Sequence, residues 1–334
     1  MKLTLIVLLT AALAAPAVPA ALASSSVKHG GGHVSLVAYS TPNVAFGKLI
    51  SAFQATSAGK GVSFDQSYGA SESQAKSVIA GLPADIADFS LAPDMDSLVK
   101  SGLVDRSWSQ NRYGGIVTRS VVVFVLRNGN PKHLRTWDDL IKPGVQVVTA
   151  NPFTSGGARW NILAAYGSQL REGKKPGAAT DYLLKLFHNV VSQDTSGRNA
   201  LNTFLSGRGD VLLTYENEAK LAQQQGKPVY YLIPKATIRI ENPFAILKRS
   251  QGNTAAQAFY KFAFSKQGQQ VWAQNGYRPV DVSVYNQFKS QFPIRPQLFT
   301  VDYLGGWNKV IPQFFDPQNG IMARIERSLG VSTG

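Results

Sequence analysis

Residues Asn151 to Asn161 read Asn-Pro-Phe-Thr-Ser-Gly-Gly-Ala-Arg-Trp-Asn, directly after the apolar run Val145 to Thr149. A strand that empties into Ser155-Gly156-Gly157 and then into a helical pattern gathers several backbone N–H groups around one point, with no bulky side chains in the way. The first N–H groups of a helix have no internal acceptor, and the macrodipole adds about half a positive charge there. Glycine also lets a ligand come close to the main chain. That is chemistry for holding an oxyanion. The same residues suit an ordinary strand-to-helix turn with a serine cap, and the segment alone leaves both readings open.

Two other turns share this build. Ser67 to Ala75 read Ser-Tyr-Gly-Ala-Ser-Glu-Ser-Gln-Ala, with Ser71 the expected N-cap of the helix that follows. Taken singly, such a serine is more often a cap than a ligand. Asp194 to Asn199 read Asp-Thr-Ser-Gly-Arg-Asn, ahead of a helix expected over Leu201 to Leu205. In an open α/β sheet such turns lie at the carboxyl ends of strands, where ligands bind. Three of them, drawn from two lobes, would enclose an anion without a charged partner. A buried dianion needs every oxygen hydrogen-bonded. About seven charge-assisted bonds at roughly 1.5–3 kcal/mol each exceed the ~8 kcal/mol of a micromolar complex, with a surplus for desolvation and lobe closure.

The elements that must position these turns alternate along the chain. Val34 to Tyr39, Gly61 to Gln66 and Ile86 to Ser90 read as strands, with helices at Ala45 to Thr56 and Ser71 to Ala80. A second unit has strands at Val145 to Thr149, Val190 to Ser192 and Asp210 to Thr214, with helices from Gly156 and over Ala178 to His188. Alternation of this kind predicts an α/β fold with a largely parallel sheet. Ile116 to Arg127 form a long β-rich run, and a similar switch comes at Val229 to Ile233 and Ile238 to Leu247, which suggests two crossovers between lobes. Thr254 to Asn275 are strongly helical. The expected division is a first lobe of residues 34–116 and 242–334 and a second of 117–241.

Residues Met1 to Ala23 carry Lys2, an apolar core from Leu3 to Ala15 and the ending Ala21-Leu22-Ala23, the pattern of a cleaved secretory signal; 24–33 read as a flexible Ser/Gly leader. An exported, periplasmic protein is expected. Cysteine is absent, so neither a disulfide framework nor a lipid-accepting thiol is available. Beyond the signal no run approaches the ~18 apolar residues of a membrane helix. The remaining chain is longer than one compact core usually holds, which again implies two lobes. The net charge of +14 is spread along the chain rather than massed in a stripe. Nucleic acid is not an expected partner, and the charge reads either as long-range attraction for anions or as a general habit of the source organism.

Further ordered motifs accompany the first segment: Arg127-Asn128-Gly129-Asn130-Pro131-Lys132, Trp137-Asp138-Asp139-Leu140-Ile141-Lys142-Pro143-Gly144-Val145, Gly209-Asp210-Val211 with Glu216-Asn217-Glu218-Ala219, Tyr277-Arg278-Pro279 and Gly305-Gly306-Trp307. With them the chain resembles, from about Val34 to Trp307, the periplasmic sulfate- or thiosulfate-binding proteins of ABC uptake systems. The resemblance implies a two-lobed periplasmic-binding-protein fold with two crossover strands and the ligand in the cleft between lobes. It implies binding without catalysis, no cofactor, a monomer, and delivery to a membrane permease. Its sulfate contacts would fall on Ser71, Ser155, Gly156 and Gly157, and on the N–H of Gly197, where the family usually has alanine. The family's indole donor falls at Tyr215, whose hydroxyl donates from a different distance and direction. A family aspartate that gives a backbone N–H falls at Ser40, where the main-chain donor survives.

Glu72 departs from the family, which commonly has glycine beside the ligand serine. Pointing outward at a helix start its charge is favourable; facing the ligand it would accept a proton from hydrogen phosphate, which fully ionised sulfate does not carry. Outward is the expected orientation, and sulfate the expected ligand, with phosphate or molybdate as alternatives. Arg159, on the fourth residue of its helix, is expected to brace backbone or an acidic side chain rather than clamp the anion. His29 and His33 lie in a Gly-rich leader and are not expected to bind metal. His133 and His188 are isolated, so neither a triad nor a metal hydrolase of sulfate or phosphate esters has support in the residues.

Overall fold

The computed structural model describes residues 32–331. The expected signal, and all of the leader but its last two residues, lie outside them. In chain order the elements are β1 (His33–Tyr39), α1 (Asn43–Gln54), β2 (Ser63–Gly69), α2 (Ser71–Ile79), β3 (Ile86–Asp88), α3 (Ala92–Lys100), β4 (Ile116–Arg127), β5 (Val147–Ala150), α4 (Gly156–Arg171), α5 (Pro176–His188), β6 (Val190–Asp194) and α6 (Gly197–Leu205). They continue with β7 (Val211–Tyr215), α7 (Glu216–Gln224), β8 (Val229–Leu232), β9 (Ala236–Ile246), α8 (Thr254–Phe264), α9 (Lys266–Gln274), β10 (Arg278–Pro279), α10 (Val282–Phe288), β11 (Gln297–Phe299), α11 (Trp307–Phe315) and α12 (Ile321–Ser328).

The strands run in the order β2-β1-β3-β9-β4-β7-β5-β6. β1 is parallel to β2 and β3, and β5 is parallel to β6 and β7. The two long strands join these halves. β9 pairs antiparallel with β3 through Phe244 to Ile246 and with β4 through Arg239 to Pro243. β4 then continues against β7 from Val122 to Leu126. Each half buries both faces of its sheet, as parallel strands require. In the first half, Phe46, Phe53, Phe259 and Trp272 fill one face and Val78, Phe89, Met95 and Leu98 the other. In the second, Leu163, Leu183 and Leu186 fill one face and Leu201, Phe204 and Ala219 the other.

Three features depart from the sequence reading. The helical stretch 254–275 is two helices, because Ser265 adopts an extended conformation and its hydroxyl accepts the Gly268 N–H at 3.1 Å, capping α9. α6 begins at Gly197, four residues before the expected start. The chain's last part packs far from the first strands: β11 pairs with Ala236 to Ile238, and Phe314, Phe315, Met322 and Ile325 join the apolar cluster of α4 and α5. The amphipathic helices α11 and α12 find their apolar partner there, with Tyr166 edge-on to Phe314 at 4.8 Å.

Candidate functional site

Five helix starts meet where the two halves face each other. Ser40 and Thr41 lie between β1 and α1, Ser71 opens α2, Gly156 and Gly157 open α4, Gly197 opens α6, and Tyr215 is the N-cap of α7. Ser40, Ser71, Ser155, Gly156, Gly157, Gly197 and Tyr215 all line one small cavity of about 10 Å³, together with Tyr39, Thr41, Ala70 and Ser90. Among the described residues its lining contains no lysine, arginine, aspartate or glutamate. The positive potential there comes from peptide dipoles and unmatched N–H groups rather than from cations. A larger cavity of about 200 Å³ lies against β4, β9 and β10 and is walled mainly by hydrocarbon; the small one has the chemistry of an anion site.

Buried hydrogen bonds hold the hydroxyls of Ser71, Ser90 and Tyr215. Ser71 is the first residue of its helix rather than the expected N-cap, which is Ala70. Its Oγ donates to Asp94 at 2.5 Å and accepts the Ser90 N–H at 2.9 Å. Ser155 is the N-cap of α4 and lines the cavity, yet its hydroxyl makes no capping bond to the helix. Ser90 Oγ and the Tyr215 hydroxyl are 2.5 Å apart across the two halves, and Trp160 donates its indole N–H to Ser90 O at 2.9 Å. Burial raises the Tyr215 phenol, so it stays protonated and able to donate. Burial likewise lifts Asp88 well above its ordinary value and Asp94 to about 6, the latter opposed by Arg159 and the Ser71 hydroxyl. Two acids near the site are thereby biased toward their neutral forms.

The flanking charges are paired. Glu72 does not line the cavity: it binds the Arg159 guanidinium and, at 2.8 Å, Lys76 one turn along α2. Arg159 also donates from Nε to Pro152 O at 2.9 Å. It therefore braces both backbone and an acidic side chain, and in doing so ties α4 of one half to α2 of the other. Arg198 makes a two-pronged contact with Glu218 at 2.7 and 2.8 Å and donates to Thr41 O at 2.7 Å, a second tie across the cleft. Gly156 is a glycine because of the closure: a Cβ there would lie 2.5 Å from Ser90 Oγ and 2.6 Å from Ser90 Cβ.

Sequence reasoning missed Ser90. Its signal was present, since it ends the strand read over Ile86 to Ser90 and lies two residues past the end of β3, at the carboxyl end of a strand like the other turns. Its neighbours Phe89 and Leu91 are fully buried core residues, and that apolar setting hid it.

Two α/β halves joined by two crossing strands, with an anion-suited cavity at their junction, define a two-lobed solute-binding protein. Residues 34–278 match the family described as bacterial extracellular solute-binding protein, and the chain belongs to that family. The sulfate-binding protein of Synechococcus elongatus is 41% identical, over 84% of this chain and 83% of its own. The thiosulfate-binding protein of Pseudomonas aeruginosa is 37% identical over 75% and 79%. Among solved structures, the sulfate-binding protein SubI of Mycobacterium tuberculosis superposes with a TM-score of 0.83 at 44% identity, covering 85% of this chain and all of that one.

Proposed function

We propose that this protein captures sulfate, and also thiosulfate, outside the cytoplasm and delivers it to a membrane ABC permease. The observation that carries the reading is the cavity lining: hydroxyls and helix-start N–H groups from both lobes, with no carboxylate to accept a proton from a protonated anion. The relatives bearing the names sulfate- and thiosulfate-binding protein support the choice of ligand. In this reading Ser40, Ser71, Ser155, Gly156, Gly157, Gly197 and Tyr215 surround the anion. Glu72 holds Arg159 instead of the ligand. The protein acts as an exported monomer without cofactor or catalysis, its signal peptide being residues 1–23. The first lobe is 34–116 with the chain from 242 to the end of α10, and the second is 117–241 with the C-terminal helices added. Lobe closure presents a different surface to the permease than the open form does.

The test is calorimetric titration of protein freed of anion by unfolding and refolding, with sulfate, thiosulfate, molybdate and phosphate in turn. Sulfate bound at micromolar or tighter affinity with phosphate silent is the expected result. Phosphate bound with sulfate silent would overturn the ligand assignment. Turnover of an aryl sulfate or aryl phosphate, with or without divalent metal, would overturn the assignment of binding without chemistry.

A further inference from the structure

On the side of β4 and β9 that meets β10 and α10, a cavity of about 200 Å³ opens between Val121, Val280, Val282, Tyr285, Ile294 and Leu298. Its mouth is apolar and solvent-facing: Val282 is 70% and Ile294 66% exposed, unusual for large aliphatic side chains so close together. Its polar wall is cationic. The β4–β9 register sets Val121 opposite Arg239 and Arg119 opposite Glu241, and the alternation of strands puts all four on one sheet face. Glu241 is 2.9 Å from Arg239 and 3.5 Å from Arg119, so one carboxylate serves two guanidinium groups. The Arg119 contact runs from its Nε, held at ion-pair rather than hydrogen-bond distance, while the buried Nε–H of Arg239 finds no acceptor among the described residues. Burial and then the neighbouring Arg239 charge push the Arg119 guanidinium below its ordinary value, with Glu241 opposing the shift. Arg278, the third arginine in the wall, is already satisfied by Glu216 at 2.7 and 3.2 Å and by Pro293 O at 2.9 Å.

We propose that this cavity is a second ligand site, taking an aliphatic monocarboxylate whose head group completes the Arg119–Arg239 pair and whose chain fills the apolar walls. A second carboxylate supplies acceptor oxygens and a negative charge to two guanidinium groups that otherwise share the single carboxylate of Glu241. Hydrocarbon walls reject a small, fully hydrated dianion such as sulfate, because they offer nothing to replace its water. The site thus differs in chemistry from the inter-lobe cavity, which is smaller, has no aliphatic side chain larger than alanine in its lining apart from the Thr41 methyl, and is lined by hydroxyls and helix-start N–H groups.

The probe is sodium octanoate, titrated into the mature protein by calorimetry, with octanol as its uncharged counterpart and sulfate titrated separately. Saturable octanoate binding, with octanol at least tenfold weaker, is expected. Two variants locate it: Arg239→Gln removes half of the cationic pair, and Val282→Glu sets a negative charge on the exposed rim, where folding is not at stake. Each should weaken octanoate at least tenfold and leave the sulfate titration unchanged. Absence of saturable octanoate binding, octanol binding as tightly as octanoate, or octanoate affinity indifferent to both variants would each overturn the proposal. Because the sulfate arm is read independently, failure here does not touch the anion assignment of the cleft.

Discussion

Gly156 and Gly157 are adjacent, both open α4, and both line the inter-lobe cavity, yet the structure assigns them different tolerances. A methyl group at Gly156 would sit 2.5 Å from Ser90 Oγ, 2.6 Å from Ser90 Cβ and 2.9 Å from Leu91 Cγ, all belonging to the opposite half. Carbon contacts settle at about 3.5–4.0 Å, so closure must stop roughly 1 Å short. Hydrogen bonds of ~2.9 Å stretched by that much are no longer hydrogen bonds, and the anion loses the donors of one lobe. Forfeiting even two charge-assisted bonds of roughly 1.5 kcal/mol each exceeds the ~2.7 kcal/mol of a hundredfold change in Kd. At Gly157 the nearest atoms to a Cβ are Ser155 Oγ at 3.4 Å and Tyr215 Cε2 at 3.6 Å, an ordinary contact. Gly156→Ala should therefore lose at least about a hundredfold in sulfate affinity by calorimetry, and Gly157→Ala less than about tenfold. Both should match the parent in Tm without anion. A Gly156→Ala protein within threefold of the parent, or equal losses at the two positions, would refute the reasoning.

Glu72→Ala removes the carboxylate that ties Arg159 of the second half to the first, a part-exposed pair of about 1 kcal/mol. Anion release followed by stopped flow should quicken by roughly fivefold, and an unchanged release rate would show that the tie plays no part in holding the cleft shut. Asp94 has a folded-state value of about 6 against an ordinary 3.8, raised by burial, so its neutral form is the stabilising one. Its contribution is complete below about pH 3.8 and is lost as pH rises through about 6. Asp94→Asn, neutral throughout, should accordingly raise Tm at pH 8 and leave it nearly unchanged near pH 4; a rise of equal size at both would contradict this. Arg278→Met strips the guanidinium from Glu216, which is fully buried, at a cost of about 3–5 kcal/mol. Thermal unfolding should fall by on the order of 10 °C, and a change under about 2 °C would mean that Glu216 finds another partner.

The site was legible wherever a backbone pattern carried the signal. The run Val145 to Thr149 followed by Ser155-Gly156-Gly157 marks a strand, a turn and a helix start in sequence alone, and β4 was read to its observed ends because eleven of its residues alternate nowhere with charge except at Arg119. What the pattern lacks is the partner from the other half. Nothing near Glu72 in sequence announces Arg159, 87 residues away, and nothing near Ser71 announces Asp94 as the acceptor of its proton. The packing partner of the C-terminal helices was hidden for the same reason. An apolar helix face declares that it will be buried but not against what, and α11 and α12 cover α4 and α5 instead of the neighbouring first lobe.

The role of β9 has a consequence for how the molecule comes to be made. The edge of β3 is closed only when Ile86, Ala87 and Asp88 pair with Ile246, Ala245 and Phe244, and the aromatic cluster under β1 waits for Phe244, Phe259 and Trp272 to join Phe46 and Phe53. Contacts so distant along the chain are slow to form and exact their loop-closure entropy first. A nascent polypeptide that has grown as far as β8 therefore possesses neither lobe in finished form: the first lacks its closing strand and half its core, and the second lacks β11 and the helices that cover it. Such a chain stays pliable until almost its whole length has been synthesised, which is the condition in which a polypeptide can still be threaded through a narrow pore.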